Sequence, residues 1–273
     1  ILANVYLHYV FDLWGHKTWR GRKARGDMIV VRYADDFVVG FQHKWEADCF
    51  LNDLKERLAQ FGLALHPDKT RLIEFGRFAK ANRKRRGQRK PETFDFLGMT
   101  HFCDQSRKGR FRVGRKPSRK RVRRTLKRIK DALRKRMHME VHAVAKWLGR
   151  VINGWLNYYA VPGTARYLRA FVDRVRRSLL RTLRRRSQKD RFEWSKIDLL
   201  QSFYWPKPSI RHPWPDQRLA VNTQGRSPVR QRARGDLCGG CRAIGIPTAI
   251  LGAWSGRTAR RWGTSGPNPS IAP

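Results

Sequence analysis

Apolar side chains first recur at three- and four-residue spacing, with Ile1, Leu2, Val5, Tyr9, Val10 and Leu13 falling on one face of a helix. Two short runs rich in β-branched and aromatic residues follow, Met28 to Tyr33 and Phe37 to Phe41. Only Ala34-Asp35-Asp36 separates them, which predicts a hairpin with a tight, carboxylate-bearing tip. The helical period returns at Ala47, Phe50, Leu51, Leu54, Leu58 and Phe61, and Gly62 stands in the position of a C-cap. Short strands are predicted at Leu63 to Leu65, Leu72 to Phe75 and Phe94 to Leu97, joined by turn-formers such as His66-Pro67-Asp68. Helices mixed with antiparallel strands predict an α+β fold.

Downstream the pattern is helical. Ser118 is a candidate N-cap for a helix with Val122, Leu126, Ile129 and Leu133 inward. A second helix carries Val141, Val144, Leu148, Val151, Ile152, Trp155 and Tyr159 and ends at Pro162-Gly163. A third carries Tyr167, Leu168, Phe171, Val175, Leu179 and Leu183, and short connections predict a small bundle. Beyond Asp190 the period fades into an aromatic, irregular extension packed on that bundle. The Gly- and Pro-rich stretch from Gln217 to Pro273 has no sustained period, so a mostly disordered tail is expected there.

Charge changes the picture. The chain has 61 Lys and Arg against 21 Asp and Glu, a formal net charge of +40 in 273 residues. Between Arg77 and Arg136 there are 25 basic residues and 4 acidic ones, so more than half the excess lies in one stretch. Part of that stretch, Asn82 to Lys90, is predicted to be a loop. Such a chain needs a polyanion to relieve its self-repulsion, and nucleic acid is the expected one. No apolar run is long enough for a spanning helix, so no membrane partner is expected. Four cysteines in so basic a chain make no secreted disulfide framework, which points to an intracellular, cytoplasmic setting. Cys238 and Cys241 have knuckle spacing but no second ligand pair nearby, and no zinc site is expected.

Two adjacent carboxylates at a hairpin tip repel each other, and a turn needs only one, so Asp35 and Asp36 call for a compensating charge. A divalent cation is the natural one, since hard carboxylate oxygens suit Mg²⁺ and two-metal nucleotidyl transfer uses such ligands. Trp147, Trp155, Tyr158 and Tyr159 lie at helical spacing and are read as core rather than as stacking platforms.

These residues resemble the group II intron reverse transcriptases and maturases. LANVYLHYVFDLW looks like the helix after the family's Gln-Gly motif, RYADDFVVGF like its Tyr-x-Asp-Asp hairpin, and GLALHPDKT and FDFLGM like the two blocks that follow. VINGWLNYY looks like the maturase-specific or thumb region, and the resemblance runs to about residue 216. It implies a partial reverse-transcriptase palm at 1–116, a helical thumb or maturase domain at 117–216 and a tail at 217–273. It also implies an RNA-directed DNA polymerase working by two-metal chemistry, with group II intron RNA, DNA target or primer and deoxynucleoside triphosphates as partners.

Residue by residue, the resemblance makes Asp35 and Asp36 the carboxylates that hold Mg²⁺. Lys69 becomes the donor of a proton to departing pyrophosphate. Phe96, Leu97 and Gly98 become the block that grips the primer, and Arg115, Lys116, Arg119, Lys120, Arg123 and Arg124 a surface that tracks phosphates. The family's third carboxylate belongs to an earlier strand than any in this sequence, so no polymerisation is expected of the 273 residues alone. The other reading is a non-catalytic RNA-binding cofactor that assists splicing.

Overall fold

The computed structural model describes residues 2–106, 108–186, 192–214 and, as backbone, 248–255. The described chain is mixed helix and antiparallel sheet, and it divides into two compact units. The first comprises residues up to Phe75 together with the late strand; the second begins at Gly76.

In the first unit the opening helix α1 (Leu2–Leu7) passes into two π-helical segments, His8–Asp12 and Gly15–Lys23. The helical run is therefore longer than the apolar face that ends at Leu13. It leads into the predicted hairpin, β1 (Met28–Tyr33) and β2 (Asp36–Phe41), and then α2 (Lys44–Gln60). Short strands β3 (Ala64–Leu65) and β4 (Arg71–Ile73) follow. Phe37, Val39 and Phe41 alternate into the core of this unit, where they meet Phe11, Trp19, Phe50, Leu54 and Leu58. Trp19 meets Phe41 and Phe50 edge to face and those two rings pack tilted against each other, with centroids 5.1–6.1 Å apart. Burying these rings is the main stabilising term, at about 25 cal/mol per Å² of apolar surface removed from water.

The sheet of this unit holds a strand that the sequence pattern did not announce. Thr248–Ser255 (β8) pairs antiparallel with β2 over Asp36↔Ala253 to Phe41↔Thr248. Along its other edge it pairs with β4 at Ile250↔Leu72 and with β3 at Leu65↔Trp254. It thus sits in the middle of the sheet and satisfies backbone groups on both neighbours. Averaged over the whole stretch after Gln217, the Gly and Pro content hides the strand-forming run TAILGAWS. The rest of the expected tail, including the Cys238 and Cys241 pair, lies outside the described residues.

The second unit begins with α3 (Ala79–Arg85), helical where a loop was expected, because Ala79 is buried and nothing between it and Arg85 breaks a helix. Next comes a three-stranded meander, β5 (Phe94–Phe96), β6 (Met99–Gln105) and β7 (Phe111–Pro117). The last two strands were not predicted, since TxFxDQ and FRVGRKP alternate polar with apolar too weakly to stand out. The three predicted helices follow as α4 (Arg119–Lys135), α5 (Val141–Tyr159) and α6 (Ala165–Leu183). The aromatic extension holds a further helix, α7 (Trp194–Tyr204). Leu133, Leu148, Ile152, Leu156, Leu168, Phe171 and Val175 form the bundle core, with Trp155 stacked on Phe171 at 3.8 Å. Met99 from the meander is buried in that same core, so sheet and bundle are one packed body. Among the described residues no helix is long and apolar enough to cross a membrane.

The central place of β8 makes a measurable claim. Ile250→Pro removes a backbone donor and bars the ring from a ladder flanked on both sides. Amide exchange at Val38 and Val39 should accelerate, and the first unit should unfold at lower urea. Unchanged protection at those two amides would show that β8 contributes nothing to the sheet.

Candidate metal centre and nucleic-acid interface

The carboxylate tip is built from the strand register outward. Tyr33 pairs with Asp36, so Ala34 and Asp35 are the two loop residues and Asp36 is the first residue of β2. Ala34 has φ of 55°, the left-handed conformation that two-residue hairpin loops require and that Gly more often supplies. Asp35 and Asp36 are both exposed, and neither carboxylate has an ion-pair or hydrogen-bond partner among the described residues. Among the described residues, no group of three or more His, Cys, Asp and Glu is gathered closely enough to hold a metal. The donor set at the tip is thus two adjacent hard oxygen ligands, a chemistry that fits Mg²⁺ and leaves most of its coordination to water or phosphate oxygens.

What fixes the tip is Arg32. Its guanidinium donates two parallel bonds to Asp12, Nε to Oδ1 at 2.8 Å and Nη2 to Oδ2 at 2.6 Å. Its Nη1 donates to the carbonyl oxygen of Ala34 at 2.8 Å and to Oδ1 of Asn4 at 3.3 Å. The strained loop residue is therefore tied through one planar side chain to the opening helical run. Burial alone would raise the Asp12 carboxyl, but the bonds to Arg32 and its charge, aided by His8, outweigh it and hold the carboxyl below its ordinary value. The partner guanidinium is pushed up by the same bonds. Nothing in the sequence distinguishes Asp12 from any other residue of the opening helical run. Among 61 basic residues nothing marked Arg32 either, although its position two residues before the turn was a usable signal.

Lys69 is exposed in the turn joining β3 to β4, with its backbone N–H on the His66 carbonyl at 3.2 Å. It makes no hydrogen bond or ion pair with Asp35 or Asp36. Its proposed role therefore rests on the resemblance alone.

Phe96, Leu97 and Gly98 form the tight turn between β5 and β6 in the second unit. Leu97 has φ of 49° and Gly98 of 73°, so both loop residues are left-handed. The Tyr158 hydroxyl of α5 donates to the Leu97 carbonyl at 2.7 Å. Ser118 N–H donates to the Gly98 carbonyl at 3.0 Å, and its hydroxyl donates to Asp95 at 3.0 Å. A Cβ at residue 98 would meet the Arg121 side chain at 3.0 Å, so the Gly allows α4 to close over the turn. Trp155 and Tyr159 are buried, as their helical spacing suggested, and Trp147 is partly buried, but Tyr158 is exposed and not core, because its hydroxyl reaches out to this turn.

Of the basic surface, Arg119, Lys120, Arg123 and Arg124 stand exposed along the outer face of α4. Arg115 and Lys116 are half-buried on β7, where Lys116 lies over the Phe102 ring at 5.4 Å. The structure thus brings the α4 members together and gives the β7 pair additional packing duties.

Two family models match parts of the chain. Residues 1–101 match the reverse transcriptase (RNA-dependent DNA polymerase) family, and residues 120–199 match the group II intron maturase-specific domain. Together the two matches support a group II intron reverse transcriptase/maturase. No curated protein matches the chain. Proteins that join these two domains are group II intron-encoded reverse transcriptases and maturases; reverse transcriptases are generally Mg²⁺-dependent, and the maturase domain implies binding of intron RNA.

The Asp12 to Arg32 clamp predicts a pH dependence. The folded-state carboxyl is depressed, so its contribution is complete above the ordinary value of 3.8 and is lost as pH falls through the lower folded value. Asp12→Asn should remove that acid limb from the unfolding of the first unit. At neutral pH it should cost about 1.5–3 kcal/mol, the range for hydrogen bonds to a charged group. An acid titration identical for the two proteins would show that the clamp does not couple to folding.

Proposed function

We propose that residues 1–116 serve as palm and 117–216 as thumb or maturase domain of an RNA-directed DNA polymerase, with Asp35 and Asp36 as its metal-side carboxylates. The observation that carries this reading is the pair of adjacent, exposed carboxylates left without a basic partner among the described residues of a chain of net charge +40. A tip held rigid by Arg32 while its acids stay free suits a site that binds cations from solution. Bound Mg²⁺ would supply a lowered pKa for the attacking hydroxyl and neutralise charge on the phosphates.

The reaction joins a primer 3′-hydroxyl oxygen to the α-phosphorus of a deoxynucleoside triphosphate. The bond from that phosphorus to the bridging oxygen breaks, the hydroxyl proton is lost, and pyrophosphate leaves. In this reading Asp35 and Asp36 hold the metal ions, Lys69 gives a proton to pyrophosphate, and the turn Phe96-Leu97-Gly98 supports the primer strand. Arg115, Lys116, Arg119, Lys120, Arg123 and Arg124 follow the phosphates of intron RNA or of the template–primer pair. The maturase-domain match and the basic outer face of α4 equally support a second role, in which the chain binds intron RNA and assists splicing without polymerising.

Primer extension separates the two. Joined to the N-terminal reverse-transcriptase region of a family member, the chain should extend a DNA primer on RNA, and Asp35→Asn should reduce that by on the order of 10²-fold or more. RNA affinity should stay within about twofold, because the tip carries no phosphate-binding cation. Extension by the Asp35→Asn protein at the unaltered rate would remove the tip from the chemistry, and a joined protein that binds RNA but never extends would favour the splicing role.

A further inference from the structure

Outside the residues assigned above, α4 and α6 enclose a groove of about 570 Å³ on the second unit. Lys127, Lys130 and Arg134 form one wall; Arg174, Arg177 and Arg181 form the other. Leu126 and Ser178 also line it, and Asp131 is the acid among its lining residues. All six basic side chains are exposed, and none is ion-paired among the described residues. The contrast with Arg176 is direct: lying between two groove residues in sequence, it pairs with Asp173 and Asp198.

The sequence builds these walls by period. On α4 the basic residues fall at 127, 130 and 134 while Ile129 and Leu133 go to the core; on α6 they fall at 174, 177 and 181 while Val175 and Leu179 do so. Each wall thus presents cations one turn apart beside the packed seam of the two helices. Seven residues of helix rise about 10.5 Å at 1.5 Å per residue. Two rows of like charge sharing one groove repel each other unless a polyanion lies between them. Among the described residues no aromatic side chain lines the groove, so it offers bases nothing to stack on and contact is with the backbone.

We propose that the α4–α6 groove seats the sugar-phosphate backbone of an RNA strand, gripped without regard to sequence. This rests on the RNA-binding reading above and extends the contact surface to α6, on which that reading places no residue.

The test is titration of the whole 273-residue chain with a single-stranded oligouridylate, followed by fluorescence anisotropy across a range of salt. R174Q/R177Q/R181Q should weaken binding at least about tenfold near 0.1 M salt and flatten the log–log salt slope by about 2, three contacts at ~0.7 each. R174K/R177K/R181K, which keeps the charges, should restore most of both. K84Q/R85Q/K90Q, an equal charge loss outside the groove, should change the slope by less than half as much. An unaltered helical signal in circular dichroism shows that each variant folds.

An Arg-to-Gln variant that binds the oligouridylate with unchanged affinity and slope would overturn the groove while leaving RNA binding by the chain intact. An equal slope change in the control variant would reduce the effect to net charge and overturn it as well. Loss of binding to phosphatidylserine vesicles with RNA affinity preserved would assign the groove to a lipid surface instead. Absence of salt-dependent RNA binding by the unaltered chain would remove the underlying reading and this proposal together.

Discussion

Carboxylates are outnumbered by Lys and Arg almost three to one in this chain, and the fold depends on where those few acids are committed. Asp12 goes to Arg32, Asp53 to Lys23, Asp104 to Arg112, and Asp173 with Asp198 to Arg176. Glu46 is wholly buried and accepts from the backbone N–H groups of Arg25 and Gly26 at 2.7 and 3.0 Å, which fixes the chain where it turns into β1. Apart from Asp173 with Arg176, which lies within α6, each of these contacts joins two elements or sets a turn. Against that pattern, two acids side by side at a hairpin tip with no partner among the described residues are an uncompensated repulsion, and so is a groove with six cations likewise unpaired. Uncompensated charge of either sign in a folded chain marks a place where something from solution completes the electrostatics.

The two candidate blocks share a local device. Among the described residues only Ala34 and Leu97 adopt positive φ without being Gly, at a cost of about 1–2 kcal/mol each. In both cases a side chain holds the carbonyl oxygen of the strained residue: Arg32 donates to Ala34, and Tyr158 donates to Leu97. Strain of this kind persists where the surroundings over-determine it. Here the surroundings are a guanidinium locked by a carboxylate in one unit and a tyrosine on a packed helix in the other. Both turns are therefore set before any ligand arrives, which lowers the ordering cost of binding.

Much of this was legible in the sequence. The stripes at Phe50, Leu54 and Leu58 and at Leu148, Ile152 and Trp155 gave the helices because 3.6-residue periodicity is a local property of a buried face. The hairpin and its acids were legible for the same reason, since two β-rich runs and a two-residue turn are adjacent in the chain. Arg32 and Asp12 were not, because their pairing spans 20 residues and depends on the course of the π-helical run. β8 was invisible for a stronger reason: its partners lie 176 to 217 residues away, and no local pattern encodes a register. The α6 wall of the groove had a signal, basic residues at 174, 177 and 181, but one helix face reads as solvated until its neighbour is known.

Salt and polyanion are not interchangeable remedies for the charge on this chain. Cations one helical turn apart are about 5–6 Å from each other, inside the Debye length of about 8 Å at physiological ionic strength, so mobile ions screen their repulsion only in part. A phosphate strand lying between two such rows puts fixed negative charge within hydrogen-bonding distance of both. Its binding free energy then adds to the stability of the folded state, by about 2.7 kcal/mol when free ligand stands at a hundred times its dissociation constant. Raising salt relieves some self-repulsion in the free protein while weakening the complex steeply, and the second effect is the larger because every released counterion acts on the complex. The folded bundle and the RNA that it binds are therefore thermodynamically linked, and the excess of basic residues that burdens the free chain is what makes the linkage strong.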